Sequence, residues 1–417
     1  MPLPKRSLTS AQLARISTEA FAPTTPELFG VELEWPVHRH DDLGRPNLDA
    51  VAQFDGMTLP AGGRVTFEPG GQVELSTAPA PSMAAALSAA TADAAALAAH
   101  LHQAGLRCET LAVDLRRPPQ RILHRPRYEA MERYFAASGS AGTWMMCNTA
   151  STQVNLSHDA EDPHSRWYTM HRIAPVLVAM FANSPGRDPA GRRWMSQRQA
   201  IWASIDPLRT RPVDLDLPPE RAWRDYALAA HVMFIPGGIP GGIPGEIAGG
   251  TAVPPGLPFG RWMHDGHDSG WPTAEDYRYH LTTLFPPVRP RGWLELRVLD
   301  TLPTRLRDAA ALTVAAACSR PAQRELAARL PETRGLWTVA ARSGLRHPVL
   351  AHAARTLIDV AADHLAGVSD DPGHADLLAD FAARYTRAGL SPAAASSAAV
   401  KSALRRRRDV RSAPAGS

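Results

Sequence analysis

Apolar and polar residues alternate in four stretches of this chain, a period of two that predicts β-strands. In Phe29–Trp35 (FGVELEW), Val31, Leu33 and Trp35 alternate with Glu32 and Glu34. In Gly62–Thr77 (GGRVTFEPGGQVELST), Val65 and Phe67 precede the bend Pro69-Gly70-Gly71, and Val73, Leu75 and Thr77 follow it. Proline fixes φ and glycine accepts φ > 0, so the chain turns here. Gln72, Glu74 and Ser76 then share one face, with Glu68 at the turn itself. In Thr152–Leu156, Gln153 and Asn155 alternate with Val154 and Leu156. In Trp293–Asp300 (WLELRVLD), Glu295 and Arg297 alternate with Leu294, Leu296 and Val298.

Other stretches predict helices. Thr9 with Gln12 forms a capping box opening a helix towards Ala20. An Ala-rich helix runs from Ser82 to about Gln103, ended by Gly105, and Arg107–Val113 predicts a further strand. Helices follow around Arg127–Phe135 and Arg166–Ala182, the latter kinked at Pro175, and Thr304–Ala399 is helical throughout. His38–Asn47 is a loop. Strands with one polar face, interspersed with helices, predict an α+β fold with a mainly antiparallel sheet backed by helices. The chain is expected to form a single catalytic domain over 1–404, followed by a basic flexible tail, 405–417. Pro236–Gly260 repeats PGGI and excludes a regular helix or central strand. A loop this long is either a lid over a site that excludes water or a flexible insertion.

The polar faces carry the chemistry. Each segment bears carboxylates, an amide or a guanidinium where a sheet meeting water more typically bears Lys, Thr and Ser. If the strands are neighbours, Glu32, Glu34, Glu68, Glu74 and Glu295 crowd together, and like charges repel unless cations offset them. Hard divalent cations, Mg²⁺ or Mn²⁺, take oxygen ligands of this kind. The hairpin alone suits an ordinary solvated turn equally well. Arg198 and Arg297 are each a bidentate grip on carboxylate or phosphate, or a structural partner for the acidic cluster. His280 is open to reading as acid, base, ligand or structural histidine. Cys147 lacks a partner signature for a nucleophile, and no GxSxG elbow, Walker A or GxGxxG motif is present.

Composition narrows the class. Hydrophobic residues make up 44% of 417 and charged residues 21%, ordinary values for a chain with a substantial core. Three cysteines without zinc spacing point to a reduced, cytoplasmic setting. No apolar run reads as a leader or as long enough to span a membrane. The net charge of +4 is partly carried by Arg405–Asp409, a frayed solvated end in a chain without the aromatic-interleaved basic patch of nucleic-acid binders. Oligomeric state is left open.

The ordered runs GVELEW, GGRVTFEPGGQVELS, RPRYEAMERY, MMCNTASTQVNL, FANSP, MSQRQAIW, HLTTLFPPVR and LELRVLD, spanning Phe29 to Asp300, resemble the glutamate–cysteine ligase family of plants and proteobacteria. MMC before QVNL, and ExRxxD ending at Asp300, are similar to the actinobacterial branch that makes γ-glutamylcysteine for ergothioneine. The resemblance implies a glutamine-synthetase-like fold with a curved antiparallel sheet. It implies ATP-dependent joining of L-glutamate to L-cysteine through a γ-glutamyl phosphate, with Mg²⁺ or Mn²⁺. By family position, Glu32, Glu34, Glu68, Glu74, Gln153 and Glu295 form the metal face. Glu74 and Arg297 are catalytic, and Arg198, Asn155 and His280 bind substrate. Ser157-His158 after Leu156 and the Pro/Gly loop depart from the family pattern and bear on the acceptor amine. Ligases of the same fold that act on other amines, and non-catalytic nucleotide-binding relatives, are the alternatives.

Overall fold

The four alternating segments lie side by side in one six-stranded antiparallel sheet. The computed structural model describes residues 7–237 and 249–397. In chain order the strands are β1 (Phe29–Trp35), β2 (Arg64–Phe67), β3 (Val73–Ser76), β4 (Ser151–Ser157), β5 (Val288–Pro290) and β6 (Trp293–Asp300). Their spatial order is β5-β6-β4-β1-β3-β2. Register is set by the period of two: a slip of one residue would turn Val31, Leu33, Val154 and Leu156 away from the core. All four are buried, as are Val65, Phe67, Val73, Leu75, Leu294 and Leu296.

Helices cover the apolar face. They include α1 (Met83–Gln103), α3 (Ser165–Phe181) and α6 (Thr304–Ala317), with α2 (Ala141–Asn148), α4 (Gln197–Ala203) and α5 (Ala274–Leu281) at the margins. Ser82 caps α1 by accepting from Ala85 N, and Thr9 and Gln12 form the expected capping box of Ser10–Glu19. The C-terminal helices join the same apolar core, which extends from Leu8 to Ala382.

Several expectations need correcting. Arg107–Val113 forms strand only over Leu106–Cys108, which pairs with Val37–Arg39 inside the expected loop. Pro236 and Gly250–Ala252 lie in an antiparallel strand pair, Phe234–Pro236 with Gly250–Ala252, and Phe259 and Gly260 open the helix Phe259–Asp265, so parts of the Pro/Gly segment are strand and helix rather than loop. Residues 238–248, carrying the PGGI repeats, and the basic tail 405–417 lie outside the described residues. By length and composition α1, with 21 residues, is apolar enough to cross a membrane, contrary to the sequence reading. Here it packs on β1. Its buried Asp93 accepts from Ala61 N at 2.7 Å and Gly63 N at 2.8 Å, tying the helix to the chain entering β2.

Candidate active site

Because side chains alternate, the face opposite the helices collects polar members of all six strands. Glu34 stands opposite Glu74, Glu32 opposite Gln153, and Glu295 opposite both Asn155 and Arg289. Glu68 joins them from the turn between β2 and β3. Carboxylate oxygens of Glu34, Glu68 and Glu74 all lie within 4.8 Å of one another. Thr66 Oγ1 donates to Glu74 at 2.8 Å, and Glu34 accepts from Ser151 N and Gln153 Nε2, each at 2.8 Å. Asn155 Nδ2 donates to Glu32 at 3.0 Å.

The turn is held by its neighbours. Gly71 adopts φ +83°, and its N–H donates to Glu68 O at 2.8 Å. Gly70 lies so close to α2 that a Cβ there would fall 2.4 Å from the Cys147 carbonyl oxygen, so only glycine fits. Arg45 Nη1 donates to Gly70 O at 2.5 Å and to Cys147 O at 3.3 Å. Gln72 Nε2 donates to Met146 O and Thr149 O. The MMCNT segment is therefore the seat of the turn that presents Glu68.

Burial and mutual repulsion make the carboxylates reluctant to ionise. Burial first, and then the Glu34 charge, raise Glu68 from 4.5 to about 7. Burial and Glu295 raise Glu32 to about 7, and burial with Glu32, Glu68 and Glu34 pushes Glu74 well above the carboxylate range. Three converging carboxylates whose charge the nearby Arg127 and Arg297 offset only in part suit a divalent cation with oxygen ligands.

The guanidinium side is arranged differently. Glu295 is fully buried, and Arg289 grips it through Nε at 3.0 Å and Nη2 at 2.9 Å. Arg297 Nη1 bonds it as well, and Arg291 stands 3.5 Å away. Burial alone would raise Glu295, but Arg289, Arg297 and Arg291 hold it at about 2. Its oxygens are engaged by these cations, and the Gln153 Oε1 accepts from Arg297 Nη1 at 2.7 Å. Of the six residues expected to ligate metal, the fold thus converges Glu34, Glu68 and Glu74 and places Glu32 beside them. Gln153 and Glu295 lie on the same face, where Gln153 bonds Glu34 and Arg297, and Glu295 bonds Arg289 and Arg297.

Arg198 is buried on α4, beyond the β6 end of the face. Its Nη2 donates to Arg297 O at 3.1 Å, while Nε and Nη1 have no hydrogen-bond partner among the described residues. Nearby Asp300 is engaged elsewhere, accepting from Asn183 N and the hydroxyls of Ser184 and Ser196. The guanidinium lies 5.4 Å from the Trp202 ring centre and borders a cavity of about 190 Å³ that Arg297, Phe285, Thr210 and Arg211 also line. Arg297 Nε and Asn155 Oδ1 likewise lack partners among the described residues. Two buried guanidiniums with open donors beside a cavity can hold a carboxylate or phosphate.

His280 is not brought to this face. It is buried on α5 with Nε2 2.9 Å from Ala227 O and its ring 4.7 Å from Phe259, and burial followed by Arg209 lowers it to about 3. Ser157 and His158 are buried too. Ser157 Oγ accepts from Leu28 N, and the His158 ring nitrogens lie 3.0 Å from the Ala20 and Pro163 carbonyl oxygens, so both serve the scaffold. The sequence reading missed Arg45, Arg289, Thr66 and Trp202. For Thr66 and Arg289 a signal existed, since hairpin pairing places them opposite Glu74 and Glu295.

Comparison with known proteins adds an independent line. The family model described as glutamate–cysteine ligase family 2 matches residues 28–407. The glutamate–cysteine ligase EgtA of Mycolicibacterium smegmatis is 38% identical over 386 residues, covering 87% of this chain and 89% of that protein. Among solved structures, a bifunctional glutathione synthetase from Pasteurella multocida superposes with TM-score 0.51 at 14% identity. That match covers 93% of this chain and 52% of the other, so the chain spans about half its length. A glutamate–cysteine ligase from Francisella tularensis superposes with TM-score 0.50 at 13% identity, covering 89% and 84%. At such identities these two structures speak to the fold, and they agree with a glutamine-synthetase-like α+β arrangement.

Proposed function

The chain belongs to glutamate–cysteine ligase family 2, and from that premise we infer that it joins L-glutamate to L-cysteine with ATP, yielding γ-glutamylcysteine. The observation that carries the reading at this site is the convergence of Glu34, Glu68 and Glu74 within 4.8 Å, next to buried guanidiniums with open donors. In the proposed course, the γ-carboxylate of glutamate attacks the γ-phosphorus of ATP and ADP leaves. The resulting γ-glutamyl phosphate is attacked by the cysteine amine, and phosphate departs.

Each group on the face has work in this scheme. Glu34, Glu68 and Glu74, with Glu32 beside them, would hold Mg²⁺ or Mn²⁺. Such a cation, when bound, neutralises phosphate charge and helps align the transfer. Arg297, fixed by Glu295 and Gln153, would offer its unpartnered Nε–H to the phosphate being transferred. Arg198 grips a carboxylate of glutamate from the cavity, and Asn155 offers Oδ1 as an acceptor on the same face. Burial of these donors strengthens each contact and keeps water from the acyl phosphate.

The similarity to EgtA supports placing the product at the head of ergothioneine synthesis. The free cysteines among the described residues, Cys108, Cys147 and Cys318, fit a reducing, cytoplasmic setting. Oxygen-18 placed in the γ-carboxylate of glutamate tests the intermediate. One label should appear in released phosphate for each product formed, and unlabelled phosphate would rule out the acyl phosphate.

A further inference from the structure

Glu34 and Glu74 are partners in register across β1 and β3, so the sheet itself sets their spacing. Glu68 has no such partner. It lies just past the end of β2, in the turn, where the Glu34 charge repels it. Its place within 4.8 Å of the other two carboxylates therefore depends on what holds the turn. On one side Pro69 O accepts from Ile122 N at 2.8 Å and Leu123 N at 3.1 Å. On the other, Gln72 ties the chain to the end of α2. Between them Gly70 O accepts from Arg45.

Arg45 bonds four uncharged acceptors on three segments. Nη1 donates to Gly70 O and Cys147 O, and Nη2 to Asn148 Oδ1 at 2.9 Å and Pro118 O at 3.2 Å. One fork thus spans the turn and the end of α2, which a lysine ammonium, with its single nitrogen, does not reproduce. Asn148 is fully buried, and its Nδ2 donates to Asp114 O at 2.7 Å and Arg117 O at 2.8 Å, so Oδ1 is the atom left for Arg45. Buried Asp114 in turn accepts from Arg117 Nε at 2.7 Å and Arg116 N at 3.0 Å, with His38 Nε2 3.1 Å away. Arg117 Nη1 donates to Val37 O at 3.0 Å, just past the end of the strand that carries Glu34. The contacts close a loop from Glu34 through Val37, Arg117, Asn148 and Arg45 to the turn of Glu68.

Resting on the metal face of the ligase reading, we propose that Arg45 is a positioning residue that holds Glu68 at the cation's place against the repulsion of Glu34 and Glu74. In this account it touches neither substrate nor cation. Without the fork the turn relaxes away from the other two carboxylates, and the loss falls on metal affinity rather than on substrate affinity. Mg²⁺, which demands near-ideal octahedral geometry, is sensitive to such a displacement. Groups that orient metal ligands from behind typically contribute roughly tenfold to a hundredfold in metal affinity.

Titration of the full chain with Mn²⁺, followed by electron paramagnetic resonance without any substrate, tests the proposal. Arg45→Lys keeps the charge and loses the fork, and should weaken Mn²⁺ roughly tenfold. Arg45→Gln, which keeps a donor on one side only, should do the same. Glu68→Gln retains Glu32, Glu34 and Glu74 and so leaves a weaker binding to measure against. In that background Arg45→Lys should change Mn²⁺ affinity by less than about twofold, because the group it positions is already gone. In turnover the apparent KM for Mg²⁺ should rise in Arg45→Lys while the KM for glutamate changes less than about twofold. Natural Mn²⁺ affinity in both Arg45 variants would overturn the proposal and leave the ligase reading intact. Equal losses with Glu68 present and with Glu68→Gln would show a general disturbance of the fold and likewise overturn it. A natural protein that binds no Mn²⁺ would remove the metal face itself, and the role of Arg45 with it.

Discussion

Replacing Glu68 by Gln removes a charge at the centre of the proposed metal cluster while keeping side-chain size. In the fold without metal, Glu68 is raised from 4.5 to about 7, by burial first and the Glu34 charge second. A carboxylate that titrates higher folded than unfolded costs stability above the folded value and costs nothing below the unfolded one. At ~1.4 kcal/mol per pH unit the cost at pH 8 is at most about 3 kcal/mol. Solvent reaching this half-buried group, and its coupling to neighbouring carboxylates, reduce that to about 1–2 kcal/mol. Without metal, Glu68→Gln should therefore be more stable than the natural protein at pH 8, by roughly 1–2 °C in Tm for a chain of this size. At pH 5 the difference should vanish. Saturating Mg²⁺ should reverse the order, because only the natural protein offers the full ligand set. Thermal unfolding at both pH values, in EDTA and in Mg²⁺, measures all of this, and turnover should be lost. An advantage equal at pH 5 and pH 8, or near-normal turnover, would refute the cluster.

Four other outcomes follow from the same geometry. Glu74→Ala should abolish turnover in a protein that still folds, as read by circular dichroism and product formation; substantial activity would contradict its place in the cluster. Arg198→Lys should raise the KM for glutamate about tenfold and the KM for ATP far less, since a point charge does not replace a fork of donors, and equal effects would remove its role. Metal binding must displace protons from Glu32, Glu68 and Glu74, so calorimetry in buffers of different ionisation enthalpy should show more protons released at pH 6.5 than at pH 8.5. Pairing that release with Gly70→Ala, whose Cβ would meet the Cys147 carbonyl, should show weaker metal binding and a loss of about 1–3 kcal/mol in stability. An unchanged metal requirement would separate Glu68 from the turn.

Strand positions were legible because one face is buried. Val31, Leu33, Val73, Leu75, Val154 and Leu156 leave one workable register, and that register brings Glu32, Glu34 and Glu74 together. The bend at Pro69-Gly70-Gly71 was legible from backbone chemistry alone. What the pattern could not show was how each oxygen is used. Glu295 and Glu74 look alike in sequence, yet Glu295 faces three guanidiniums and Glu74 faces carboxylates. The difference comes from Arg289, brought opposite by the β5–β6 hairpin, and from Arg291 in its turn. Arg45 was hidden because its partners, which include the Gly70 and Cys147 carbonyls and Asn148 Oδ1, lie 25, 102 and 103 residues away. His280 misled because a histidine in a family motif reads as chemistry, whereas here it satisfies the Ala227 carbonyl within the core. The three-residue strand Leu106–Cys108 fell short of Arg107–Val113 because pairing with Val37–Arg39 ends there.

The most direct test of the central claim is phosphate release by the purified chain with Mg²⁺, ATP and glutamate, with and without cysteine, and the product identified by mass. Release that requires cysteine, matched mole for mole by γ-glutamylcysteine, is the predicted result. Release that occurs only with another amine, or no release with any amine, would contradict it.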